Sequence, residues 1–166
     1  MKHSLTDWLP TKLDFELFHV YCHQKDYRLC WALNQAFRFE LQRVTDFLEI
    51  PEKENETKEE ISKRLETITY AQFHFKDEVT HRSIYVLANH PINRSVVTKQ
   101  GDLFATEKME LLIPELPLVD YFIQLYGQFE PSDIDDIQEK LNLIPMINAA
   151  HLVNTETLRS YANLMH

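Results

Sequence analysis

The stretch LDFELFHVYCHQKDYRLCWALNQAFRFELQRV, Leu13 to Val44, decides the fold. It begins with alternation. Leu13, Phe15 and Leu17 share one parity, against Asp14 and Glu16. A period of two is a strand signal, and the apolar residues that follow imply burial on both faces. Asp26 then stands where it can N-cap a helix, with Leu29, Leu33, Ala36 and Phe37 at helical spacing. FELQRV, Phe39 to Val44, returns to strand character. Strand, helix and strand joined by short links make a βαβ unit, which should cross over right-handed.

The rest of the chain supplies the partners of that unit. TITYAQFHF and THRSIYVLANH read as a hairpin around residues 76 to 79. With Asp77 and Glu78 at its tip, Phe75 faces Thr80, Tyr70 faces Tyr85 and His74 faces His81. Ala71, Phe73, Phe75, Ile84 and Val86 then share one face. A loop follows, in which Gly101 suits a turn, and MELLI, Met109 to Ile113, suits a short strand. Val119, Tyr121, Ile123 and Leu125 form one face of a further strand that Gly127 ends.

PSDIDDIQEKLNLIP is a helix in which Ser132 is the expected cap, Asp135 completes the box, and Ile134, Ile137, Leu141 and Ile144 line one face before Pro145. INAAHLV is the last strand. TLRSYANLM has a terminal-helix pattern, with Leu158, Tyr161, Ala162 and Met165 on its face. The fold class is α+β: a mainly antiparallel sheet with helices on one face, ferredoxin-like βαβ halves at the two ends and a β-hairpin inserted between them.

Composition bounds the function. The 166 residues suit a single domain over residues 1–166, 44% of them hydrophobic. A chain of this size buries about 68–70% of its unfolded surface, so disulfides are not needed to hold it. Residues 52–66 are a charged surface segment, read as a partly mobile insertion. Thr57 and Glu60 form a capping-box pair there. The formal charge of −9, with 26 acids against 17 bases, opposes binding to nucleic acid or anionic membrane. No apolar run is long enough to span a membrane. The N-terminal stretch MKHSLTDWLPTKLDFEL lacks the apolar core of a signal peptide, so a cytoplasmic location is expected.

Cys22 and Cys30 form no CxxC pair and read as buried free thiols. The chain has two glycines, Gly101 and Gly127. Dinucleotide fingerprints, P-loops and hydrolase elbows each need at least two close together, where backbone must approach phosphate or turn tightly. No cofactor is expected.

Three constellations carry candidate chemistry. Of His74, Asp77, Glu78 and His81, the residues His74, Glu78 and His81 would share a face on a helix, but their aromatic and β-branched neighbours argue a strand. Two opposed imidazoles without a fixed third ligand do not make a metal site, and none is assigned. His151 has the parity of a core residue in the last strand. KDYR, Lys25 to Arg28, is a helix N-terminus whose own Asp26 would occupy an anion site. The third is LLIPELPLVDYFIQLYG, Leu111 to Gly127. Pro114 and Pro117 cannot donate ladder hydrogen bonds, so this segment is an edge, a bulge or a turn. Glu115 and Asp120 have opposite parity and make a poor carboxylate pair. The segment reads as a proline-marked strand entry. As a binding site it would use Glu115, Asp120 and Tyr121, with Glu115 as base and Tyr121 as donor. No catalytic residue is assigned.

IPELPLVDY, Ile113 to Tyr121, resembles the signature of the IPExxVDY family of small bacterial proteins, at Ile113, Pro114, Glu115, Val119, Asp120 and Tyr121. KDYRLCWALN and the order of elements are similar too, while the charged segment from Glu52 looks longer than the family's. The resemblance carries over no activity, ligand or catalytic residue. It implies a bacterial cytoplasmic protein. A non-enzymatic binding or regulatory module is expected, acting through protein–protein contacts or self-association. Exposed aromatics or an open sheet edge would serve it. The alternative is a small-molecule-binding domain or small enzyme with a cleft near the Pro114–Pro117 bend. A third reading, RNA binding through Tyr70 and Tyr85, is opposed by the net charge.

Overall fold

The alternation at the head of the chain becomes strand β1, Phe15–Tyr21. In the computed structural model, which describes residues 15–44, 69–92 and 111–165, β1 lies inside the sheet and is buried from both sides. Phe15 and Leu17 pack on one face, Phe18 and Val20 on the other. The remaining elements are α1 (Asp26–Phe37), β2 (Gln42–Arg43), β3 (Tyr70–Asp77), β4 (Arg82–Pro91), β5 (Tyr121–Tyr126), α2 (Pro131–Leu143) and β6 (Ala149–Val153). Short 3₁₀ turns at Thr155–Thr157 and Tyr161–Leu164 follow.

Among the described residues, six strands run in the order β2-β3-β4-β5-β1-β6, each antiparallel to its neighbours. The α+β class is therefore as expected. Within that order, β6-β1-β5-β4 has the 4-1-3-2 arrangement of a βαββαβ fold. Strands β2 and β3 extend it beside β4. The βαβ partner of β1 across α1 is therefore β4, not the Phe39–Val44 segment. That segment contributes two strand residues at the far edge. Its start is held off the ladder because Asn34 on α1 captures the Leu41 backbone, accepting its N–H at 2.9 Å.

One face carries the two described helices. Leu29 and Leu33 of α1, with Ile134 and Leu141 of α2, pack on Val20, Val86 and Ile123. The other face is covered by the Leu111–Asp120 segment and the C-terminal turns, whose Leu112, Ile113, Val119, Leu158 and Leu164 meet Leu17, Leu87 and Phe122. Among the described residues no helix is long and apolar enough to cross a membrane.

Several local expectations change. The β3–β4 register pairs Asp77 with Arg82, Phe75 with Ile84 and His74 with Tyr85, so His74 does not face His81, and Tyr70 pairs with Pro91. The reason is turn chemistry. Asp77 accepts the Val79 N–H and the Thr80 hydroxyl, and His81 takes a left-handed φ of 56°, so four residues form the tip. The register moves by an even step, so the shared face of Ala71, Phe73, Ile84 and Val86 survives.

The N-cap position of α1 is Lys25, whose side chain makes no capping bond, while Asp26 takes the first helical position. Helix α2 starts at Pro131, and its box is Glu130 with Asp133 rather than Ser132 with Asp135. Proline fits the first helical turn, where its missing N–H has no helical partner to lose. Leu111–Ile113 is not a strand, and the C-terminal pattern forms two 3₁₀ turns that bury Leu158 and Leu164. Gly101, the 52–66 segment and its capping pair lie outside the described residues.

Candidate functional site

The Pro114–Pro117 bend is two successive turns. The Leu116 N–H bonds to the Ile113 carbonyl, and the Val119 N–H bonds to the Leu116 carbonyl. Each proline occupies the second position of its turn, where its fixed φ is already correct. Asn89 of β4 holds both turns from beneath, and it is fully buried. Its side-chain amide donates to the Leu116 and Val119 carbonyls at 3.0 and 2.9 Å, and its oxygen accepts the Ile113 N–H at 2.9 Å.

Hydrogen bonds carry the three candidate side chains of this stretch in different directions. Glu115 is exposed, and its carboxylate accepts the Ser160 N–H at 2.7 Å, tying the bend to the C-terminal turns. Burial pushes its pKa up, but the Ser160 donors and nearby backbone N–H groups outweigh that and hold it below the ordinary value. Asp120 accepts the Cys22 N–H at 2.7 Å, just past the end of β1. Its carboxylate also lies 3.8 Å from His23 Nδ1 and 3.9 Å from His90 Nε2. Tyr121 points to the helix side, where its hydroxyl donates to the Gln24 carbonyl at 2.6 Å. Burial, then the Asp26 carboxylate, raise its pKa. The oxygens proposed for base and donor work thus already serve backbone groups of this chain.

The histidines and thiols fall elsewhere. His74 stacks on Tyr85, ring centroids 4.2 Å apart, and burial followed by Lys76 lowers its pKa. His151 is exposed and meets His19 across the β1–β6 pair at 5.4 Å. Both ring nitrogens of His19 are buried without a hydrogen-bond partner, and burial followed by His151 lowers its pKa. Among the described residues no three His, Cys, Asp or Glu side chains are grouped to hold a metal ion. Cys22 and Cys30 are buried free thiols. Burial, then Asp26, pushes the Cys30 thiol up to about 12. At the start of α1, Asp26 accepts the Tyr27 N–H and pairs with Arg43 at 3.2 Å. Tyr70 is fully buried, which removes it as a base-stacking platform.

The surface feature that sequence reasoning missed is on the helix layer. An open groove of about 780 Å³ runs between α1 and the C-terminal end of α2. Trp31, Ala32 and Gln35 line it from α1, and Lys140, Leu143 and Met146 from α2 and the residues after it. Trp31 is 63% exposed and Leu143 71%. Both sit off the buried stripes of their helices, and a large apolar residue off the stripe is the signal that was legible. Lys140 is the one charged lining residue, in a chain that is acidic as a whole.

One of the two sheet edges, β6, is partly occupied by side chains. Asn142 and Gln138 of α2 hydrogen-bond the outer backbone of β6. No family model, curated protein or solved structure matches this chain.

Proposed function

We propose that this chain is a non-enzymatic protein-binding module, and that its partner contributes an amphipathic helix that lies in the α1–α2 groove. The exposure of Trp31 and Leu143 on either side of that groove carries this reading. Large apolar side chains paired across an open cleft suit the helix-in-groove mode, in which a tryptophan makes a strong anchor. Charge selects the occupant. Ten residues line the groove, none of them acidic, and Lys140 gives it a positive rim. The complementary helix carries apolar anchors at i, i+4 and i+7 with carboxylates flanking them. The family resemblance and a cytoplasmic location are consistent with this role and stay part of the proposal.

The test is fluorescence polarisation with labelled amphipathic helical peptides whose apolar anchors are constant and whose flanks are acidic or basic. Acidic-flank peptides should bind, and Trp31→Ala or Leu143→Asp should weaken binding by about tenfold or more. Binding that ignores both substitutions, or a panel in which no peptide binds, would overturn the reading.

A further inference from the structure

An edge strand presents unpaired N–H and C=O groups that invite another strand. Among the described residues, strand β6 has β1 on one side and no strand on the other. Three of its outer groups, the Ala150 N–H and carbonyl and the Leu152 N–H, are nevertheless engaged. Asn142 Oδ1 accepts the Ala150 N–H at 2.9 Å, and Asn142 Nδ2 donates to the Ala150 carbonyl at 2.9 Å. Gln138 Oε1 accepts the Leu152 N–H at 3.2 Å. Asn142 and Gln138 lie one helical turn apart, and Asn142 Nδ2 also donates to the Gln138 carbonyl at 2.8 Å, which fixes the amide in place.

A side-chain amide has the donor and acceptor of a peptide unit. Asn142 therefore makes with Ala150 the paired bonds that a neighbouring strand residue would make. We propose that Asn142 and Gln138 stand in for a seventh strand, and that the partner they exclude is a second copy of this chain. The edge is self-complementary. Its outward groups belong to Ala150 and Leu152, which flank His151 symmetrically. A two-fold axis at His151 would place each copy's Ala150 opposite the other's Leu152, with N–H···O bonds exchanged both ways. Leu152, 43% exposed, would lie beside that seam. The guard is independent of the groove reading, since it uses the outer edge of β6 and no residue that lines the groove.

The experiment compares the wild type with the double variant Gln138→Ala, Asn142→Ala by native mass spectrometry and size-exclusion chromatography, with circular dichroism to confirm folding. The double variant should dimerise with an affinity about tenfold or more above the wild type. Adding Ala150→Pro should restore the monomer, because proline is tolerated where the strand N–H faces outward but cannot donate to a second copy. A folded double variant no more dimeric than the wild type overturns the proposal. If the double variant does not fold, amide exchange of the wild type decides. Protected Ala150 and Leu152 amides support the guard, and exchange as fast as in an unstructured peptide overturns it.

Discussion

The Asp120 carboxylate accepts the backbone N–H of Cys22 at 2.7 Å, joining the head of β5 to the end of β1. The adjacent main chain repeats the link, since the Asp120 N–H donates to the Val20 carbonyl. An ionised acceptor on a backbone donor is worth about 1.5–3 kcal/mol. Asp120→Ala should lower unfolding stability in urea by that amount. Asp120→Asn, which retains an acceptor oxygen, should lose less. Unchanged stability in both would show that the contact is not holding the strand ends.

Asn89 should be the costlier position. Removing its amide strands the Ile113 N–H and leaves the Leu116 and Val119 carbonyls without it. At about 1 kcal/mol or more for each lost partner, Asn89→Ala should destabilise by roughly 3 kcal/mol. Hydrogen exchange at Ile113 should accelerate beyond the global effect, because both turns lose their anchor. Uniform acceleration along the chain would count against this role.

Stability should fall on the acid side of neutrality. The His19 pKa is depressed in the folded chain by burial and by His151, from an ordinary value of 6.5. Between the depressed value and 6.5 the unfolded chain binds more protons, so stability rises with pH in that window. It is fully present above 6.5 and is lost as pH falls through the folded value. His74, shifted the same way, adds to the slope. Urea titrations taken from neutral pH downward should show the decline, and His19→Leu should flatten it. A wild-type profile flat through 6.5 would contradict the buried neutral imidazole.

Both thiols should be silent until the chain opens. Cys22 and Cys30 are buried, and burial raises the pKa of each, so thiolate is scarce. A chromogenic disulfide reagent should count no reactive thiol in the native protein and two in guanidinium. A fast-reacting native thiol would show that the packing over Cys22 or Cys30 opens readily.

Elements with strong periodicity were legible: β1, α1, β5, α2 and β6 all lie where alternation or helical spacing places them. What failed depended on particular side-chain-to-backbone contacts that periodicity does not encode. The hairpin register turned on how Asp77 caps its own four-residue tip. The short β2 turned on Asn34 reaching Leu41. The proline-marked bend was readable as a turn, but its two-turn form depends on Asn89, in another strand, whose spacing from Ile113 no local pattern encodes. The groove had a faint mark in Trp31 and Leu143, which interrupt otherwise regular amphipathic helices.

The interior place of β1 bears on how the chain is made. Its neighbours, β5 and β6, are encoded far downstream. A ribosome adding about 5–20 residues per second releases β1 and α1 several seconds before either neighbour exists. During that interval the apolar residues of β1, which face both ways in the finished sheet, have no neighbouring strand to lie against. The nascent chain should therefore engage a holding chaperone, and the sheet should close in one late step once Ala149–Val153 has left the exit tunnel.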